Sequence, residues 1–217
     1  MKYNTLDTII DDIMLEMRRN NITESETYSR KQIEQWLIQY RLLMLKELSN
    51  AKLPIPDSYF QRFITELTQG KKNNLGGMGI YDMVSKIKIP DYFCSNIGDR
   101  FITSYDMFGN EIQVMSEKRS RGNSNSRHFY NAKPTAYIGT DRKYHADNTD
   151  GVNIVEIGGI FVNPTEVPFF DYKNDMYPLD PGELPKIKQL IFQGELKFNL
   201  MPDVRNDGKE FVQTTAK

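Results

Sequence analysis

The sequence predicts an α+β chain with an N-terminal helical hairpin, a small central antiparallel β-domain, a C-terminal helix and an extended tail. Three patterns lead to that expectation. Apolar residues recur every three or four positions from 5 to 50, and from about residue 84 they alternate with a period of two. A single amphipathic stretch then returns after Pro181. The expected divisions are a helical hairpin over 1–53, a mixed, mainly β region with long loops over 54–176, a helix packing on the N-terminal helices over 177–200, and a tail over 201–217.

The first helix is expected over 5–20. Leu6, Ile9, Ile10, Ile13, Met14 and Met17 make one apolar stripe. Thr5 or Asn4 can cap it, and Asp7 lies in the first turn, where the helix dipole favours an anion. Arg18 and Arg19 suit the last turn for the opposite reason. The second helix is expected over 29–50, roughly 33 Å long at ~1.5 Å per residue. Ser29 and Gln32 have the spacing of a capping box. Ile33, Trp36, Leu37, Tyr40, Leu43, Met44 and Leu48 form its expected apolar face. The short connection points to an antiparallel pair. Pro54 and Pro56 then break the pattern.

Residues 58–69 fit either element. Phe60, Phe63, Ile64 and Leu67 have helical spacing, while the aromatic and β-branched content suits a strand. Residues 70–79 read as a flexible Gly-rich loop. Beyond them, Ile87 and Ile89 alternate with Lys86 and Lys88 until Pro90 ends the run. Two hairpins follow. One joins 100–105 to 111–115 through Asp106-Met107-Phe108-Gly109-Asn110, and the other joins 134–138 to 142–146 through Gly139-Thr140-Asp141. A further strand spans 152–161, where Gly158-Gly159 is the kind of pair that marks a bulge. Asp180 as N-cap and Pro181 at the first helical position open the last helix, with Leu184, Ile187, Leu190 and Ile191 on its buried side. Gly194 weakens it, so its end is expected between 194 and 200.

Composition excludes several function classes. Twenty-eight basic residues against 29 acidic ones leave a net charge of −1, unlike a general DNA-coating protein. Apolar content comes to roughly 40% on the usual count, below the typical ~45–50%, so part of the chain is expected in arms and loops. No apolar run is long enough to span a bilayer, and no secretory signal is expected at the N-terminus. Cys94 is the only cysteine, which rules out an intrachain disulfide and a thiolate zinc cluster. A reducing compartment fits that usage, and a small buried hydrophobe is the ordinary role of a lone cysteine.

Catalytic and metal chemistry finds no recognisable motif. The Gly-rich stretch 70–79 lacks the Lys-Ser/Thr ending and the strand–loop–helix setting of a phosphate cradle. Asp147-Asn148-Thr149-Asp150-Gly151 resembles part of a calcium loop, but the alignment places Ala146 and Ile157 at the first and twelfth ligand positions. His128 and His145 have no thiolate or spaced carboxylate to complete a zinc site. Asp11 and Asp12 point to different faces of a helix. No catalytic residue, cofactor or metal is therefore expected. Two features suit a partner instead. One is the basic cluster Lys118, Arg119 and Arg121 with Arg127, set in a Ser/Asn/Gly loop and able to meet phosphates or an acidic protein surface. The other is the aromatic group Phe169, Phe170, Tyr172 and Tyr177 in the Pro-bounded stretch 164–181, which suits either the chain's own core or an interface.

Three segments together resemble the virion structural proteins of crAss-like tailed phages that build the rings of the head–tail connector. They are LDTIIDDIMLEMRRNNITESETYSRKQIEQWLIQYRLLMLKE at the start, IGGIFVNPTEV at 157–167, and YPLDPGELPKIKQLIFQGELKF followed by PDVRND at 177–207. They cover less than half of the chain, in matching order and spacing, and the region 84–150 resembles the family only loosely. The resemblance implies a non-enzymatic subunit of a dodecameric ring below the portal protein. It implies contacts with the portal and with neighbouring ring proteins, and a channel that carries DNA. It places the chain in the virion, after assembly in the bacterial host cytoplasm, with no membrane partner. Within that picture the hairpin residues Ile13, Met17, Trp36 and Tyr40 are expected in the subunit core and part of the ring contact. The 118–127 loop and the 201–217 tail are expected to touch adjacent proteins. A nucleic-acid-binding phage protein using the 118–127 loop is the alternative, and an enzyme with a carboxylate site is a further one.

Overall fold

The computed structural model describes residues 4–19, 28–72, 81–94, 101–116, 134–147 and 151–195. Among them are three α-helices and seven strands, an α+β architecture with helices near both ends of the chain. The expected tail, the Gly-rich segment 73–80 and His128 lie outside the described residues.

Helix α1 spans Leu6–Arg19. Thr5 caps it, its hydroxyl accepting from the Thr8 N–H at 3.4 Å. The expected stripe is the buried one, from Leu6 through Ile9, Ile10 and Ile13 to Met17. Helix α2 spans Arg30–Asn50, and the Ser29 hydroxyl accepts from the Gln32 N–H at 3.2 Å, half of the anticipated capping box. Its buried face is Ile33, Trp36, Leu37, Arg41, Met44 and Leu45, so the expected Leu43 is exposed. The face turns by one position because the helix buries a cation at 41. Arg30 in the first turn of α2 bridges Asp7 and Asp11. The start of α2 therefore lies beside the first half of α1, whereas a turn made directly after α1 would put it beside the last turn.

Residues 58–69 resolve as a short 3₁₀ turn over Asp57–Tyr59 and strand β1, Gln61–Lys72. The deciding pattern is alternation: Phe63, Thr65 and Leu67 are buried while Arg62, Ile64 and Glu66 are exposed. Strands β2 (Tyr81–Lys88), β3 (Ile102–Asp106), β4 (Gln113–Met115), β5 (Thr135–Ile138), β6 (Lys143–Asp147) and β7 (Ile154–Gly159) complete the sheet. Their order is β3-β7-β1-β2-β6-β5-β4, antiparallel except for the β4–β5 pair.

The first and last strands of that order are joined by the β3–β4 hairpin. Ile112 N–H donates to Ser104 O at 2.9 Å and Asp106 N–H to Asn110 O at 2.9 Å, with a bridge at Tyr105–Glu111. The sheet thus curls round so that its two end strands meet at this short join, making a small barrel in which part of each edge is covered. Phe63, Leu67, Ile102, Ile112, Tyr144, Val155 and Ile157 fill the interior. The expected bulge at Gly158-Gly159 is absent, and both glycines pair in regular register with β1 and β3. Their role is close approach. A Cβ on Gly159 would lie 2.9 Å from the Phe101 carbonyl oxygen, and one on Gly158 would lie 2.9 Å from Thr103 Oγ1.

Helix α3 spans Leu184–Gly194, starting three residues later than expected. Asp180 instead makes a turn, accepting from the Gly182 N–H at 2.8 Å through its carboxylate, and Pro185 is the proline of the first helical turn. Ile187 and Ile191 are buried against α1 and α2 in one apolar core. Lys188 reaches Glu16 at 3.0 Å, and Tyr40 OH donates to Glu195 at 3.3 Å. This layer caps the barrel end where β1 and β3 begin and β7 finishes, because Tyr59, Phe93 and Ile160 belong to the helical core.

Candidate interaction surface on the outer sheet

One buried cation joins the two layers. Arg41 has no exposed surface. Its Nε donates to Pro178 O at 2.7 Å, one terminal nitrogen to Phe161 O at 2.9 Å and the other to Tyr59 O at 3.4 Å. The guanidinium also sits 5.3 Å from the Tyr59 ring centre, a cation–π distance. Burial pushes the Arg41 pKa down, with the Tyr177 and Tyr59 hydroxyls opposing. Because carbonyls surround it, the group works as a pin: it holds the start of β1, the end of β7 and the approach to α3 at fixed separations. That pin sets where the segment 164–177 crosses the barrel.

The segment leaves β7 through Phe161 and a 3₁₀ turn, Pro164–Glu166. Asn163 caps the turn, accepting from the Thr165 N–H at 3.1 Å. A tight turn follows in which Phe170 N–H donates to Val167 O at 3.2 Å. Pro168 takes its second position and Phe169 its third, with φ +68°. Glycine is the usual occupant there, because a Cβ crowds the backbone in the left-handed region. A phenylalanine in that conformation, 89% exposed, is strained and presented to solvent. Phe170 points the other way and wedges against both cores. Tyr172 is exposed and meets the Phe170 ring edge-on at 5.7 Å between centres, while its carbonyl accepts from the Asp7 N–H at 3.3 Å. The expected aromatic group therefore divides: Phe170 and the buried Tyr177 serve the chain's own core, and Phe169 and Tyr172 face outward.

Phe169 ends an apolar band on the outer face of β1, β7 and β3. Two adjoining grooves of about 460 and 540 Å³ share Arg62 and Ile64. The first continues over Ile154 and Tyr105 to Met107 at the β3–β4 tip, and the second over Pro168 and Phe169 to Met176. Phe108 stands beside Met107 at the same tip, 78% exposed. Period two creates the band. Ile64 and Ile154 occupy outward positions of strands whose inward residues fill the barrel. Scattered exposed apolar residues are ordinary, whereas a continuous band of this size marks an interaction site.

Charge on the band is mainly negative. Among the described residues Arg62 is the one cation lining the grooves, and it pairs with Glu156 at 3.3 Å, while Asp106 and Asp175 also line them. Hydrogen bonding from the Asn110 side chain and the hairpin's own N–H groups holds the Asp106 carboxyl below the usual carboxylate range. A phosphate backbone is poorly matched to such a surface. A protein surface with apolar and basic residues is well matched.

The remaining sequence-derived candidates are elsewhere. Lys118, Arg119, Arg121 and Arg127 lie outside the described residues. Cys94 is exposed, against the expectation of a buried thiol. Among the described residues no three His, Cys, Asp or Glu side chains gather as a metal site, and no helix is long and apolar enough to cross a membrane. Sequence reasoning missed Arg41, whose signal is a lone cation within the apolar stripe of α2. It also missed the outer band, whose signal is Ile64 and Ile154 at polar-face positions of their strands. No curated protein matches the chain. A protein-family model described as phage tail ring protein 2, from crAss-like phages, matches residues 8–210. With nearly its whole length matched, the chain belongs to the family of crAss-like phage tail ring proteins.

Proposed function

We propose that this structural tail ring protein acts as a repeated, non-enzymatic subunit of a ring in the head–tail connector, joining the portal to the tail around the DNA channel. The observation that carries the reading is the continuous apolar band of Ile64, Ile154, Met107, Phe169 and Met176 on a member of a ring family. A subunit that works alone has no use for such a surface, and ring subunits bury theirs against neighbours. The turn at Phe169 adds to this, since backbone strain of that kind is kept where a side chain must be presented. Phe169 and Tyr172 are the partner-facing aromatics, with Phe170 anchoring them. Lys118, Arg119, Arg121 and Arg127 are assigned to contacts with adjacent proteins, and the 201–217 tail likewise. The ring is dodecameric in this reading, assembled in the host cytoplasm and retained in the virion.

Light scattering of the purified protein, alone and mixed with the phage's portal protein, tests the proposal. A ring-sized mass or a stable portal complex is the expected result. A monomer in both conditions overturns it. DNA binding that falls steeply with salt would favour a nucleic-acid role through the 118–127 loop.

A further inference from the structure

The outer band has a counterpart on the same barrel. On the β2–β6 flank, Val84 faces His145 and Lys88 faces Lys143 in the antiparallel register. All four occupy outward positions, since Ser85, Tyr144 and Ala146 between them are buried. Two lysines directly opposite each other repel and destabilise a sheet. Among the described residues neither has an ion pair, whereas the nearby cations do: Lys86 with Glu66 and Arg142 with Asp91. The flank also carries the His145 ring, stacked on Tyr137 at 4.9 Å with an interplanar angle of 7°. The ring is mostly buried and its Nε2 lies 3.1 Å from the Asp141 carboxylate, so this flank carries Lys88 and Lys143, without ion pairs among the described residues, beside a flat ring. The other flank has apolar side chains with one cation and three carboxylates lining its grooves.

We infer that the β1–β7–β3 face of one copy docks on the β2–β6 face of the next, with Ile64, Ile154 and Phe169 against Val84 and His145, and the groove carboxylates against Lys88 and Lys143. The inference rests on the ring reading and names the surfaces that make the contact. Charge complementarity selects a second copy, because both halves of the match belong to this chain. The two faces lie on different flanks of one barrel, so the contact is heterologous. Such a contact leaves one free face of each kind on every dimer and propagates until rotation closes a ring. The cross-strand lysine repulsion is then relieved on assembly, which couples the fold of the barrel to the formation of the ring.

The test uses full-length protein in two variants. Variant one, Ile64→Asp with Phe169→Asp, disables the band. Variant two, Lys88→Glu with Lys143→Glu, disables the counter-face. Circular dichroism checks that both fold. Wild type is expected to form multi-copy species by light scattering, and each variant alone is expected to remain monomeric. Mixed one to one, the variants retain a single intact contact and are expected to stop at two copies. A mixture that stays monomeric overturns the inference, as does assembly of either variant at the wild-type mass. Loss of portal binding by variant one with unchanged self-assembly also overturns it, and assigns the band to the portal. In these cases the ring reading survives because wild type still assembles. A wild-type protein that is monomeric alone and with the portal removes both.

Discussion

In the helical layer, Leu6, Ile9, Ile13, Ile33, Leu37, Leu45, Ile187 and Ile191 meet in an apolar core, and among the described residues the one fully buried charge beside it is Arg41. The barrel interior mixes apolar residues with hydroxyls. Ser104 Oγ donates to Ile112 O at 2.9 Å and lies 2.8 Å from Tyr144 OH, while Ser85 Oγ donates to Ile87 O at 2.7 Å and accepts from Tyr144 N–H at 3.0 Å. Both layers bond most of what they bury, by different means, with Tyr177 OH and Gln61 Oε1 the buried side-chain atoms left without a partner among the described residues. Helices bond their own backbones, so their packing is left to side-chain shape. A short seven-stranded barrel has irregular joins, and side-chain hydroxyls complete the backbone bonding there. The surfaces differ as well. The large exposed apolar residues Ile64, Met107, Phe108, Ile154, Phe169 and Met176 gather on the barrel side, whereas Leu15 and Leu43 stand singly on the helices. The helical layer is thus equipped to hold the subunit together, and the barrel to meet something else.

Breaking the joint between the layers has the largest expected effect. Arg41→Ala leaves the carbonyls of Pro178, Phe161 and Tyr59 without donors and is expected to cost about 3–5 kcal/mol. Urea denaturation measures it, and Arg41→Lys should recover only part of the loss because the fork is gone. A midpoint unchanged by Arg41→Ala would show that the layers are held by apolar contact alone.

Next comes the barrel wall. Gly159→Ala forces a Cβ against the Phe101 carbonyl and is expected to cost roughly 1–3 kcal/mol. Gly158→Ala meets a movable hydroxyl, Thr103 Oγ1, and should cost less. Equal losses in the two variants would contradict the close-approach reading.

Inside the barrel, Tyr144→Phe removes one hydroxyl but leaves Ser104 bonded to Ile112. The expected cost is about 1 kcal/mol, read from the shift in denaturation midpoint. Burial pushes the Tyr144 hydroxyl pKa strongly up, so the group stays neutral through the ordinary pH range and this cost should not vary with pH there.

On the surface the sign reverses. Phe169→Gly releases a positive φ and is expected to leave the monomer as stable or to raise its stability by up to about 1 kcal/mol, while weakening assembly. A monomer destabilised by that change would show Phe169 to be a packing residue.

The smallest effect concerns pH at the β3–β4 tip. The folded Asp106 carboxyl is held below its unfolded value, so its contribution is fully present above the ordinary carboxylate range near pH ~4. It is lost as pH falls through the lowered folded value. The melting-temperature gap between wild type and Asp106→Asn should therefore close on acidification.

Local features were legible where local chemistry decides them. The α1 stripe, the Ser29 cap, and the hairpins at 106–110 and 139–141 follow from spacing, hydroxyl placement and turn residues. The start of α3 was misplaced because Asp180-Pro181 satisfies the cap rule, yet an isolated turn there uses the same hydrogen bonds. Residues 58–69 stayed ambiguous because three- and two-residue periods coincide over so few apolar positions. Of the candidate site, Phe169 and Tyr172 were legible as aromatics in a Pro-bounded stretch, but Ile64, Ile154 and Met107 were not, since their outward direction depends on partners distant in sequence.

By itself the sequence determined the α+β class, the helical faces, the hairpin turns and the absence of recognisable catalytic spacing, because each depends on contacts within a few residues. Only the tertiary structure decided that β3 and β4 join the ends of the sheet, that Arg41 pins two layers, and that six exposed apolar side chains share one flank while a pair of facing lysines lies on another. These depend on which strands become neighbours, and neighbours are chosen by burial of the whole core rather than by any one segment.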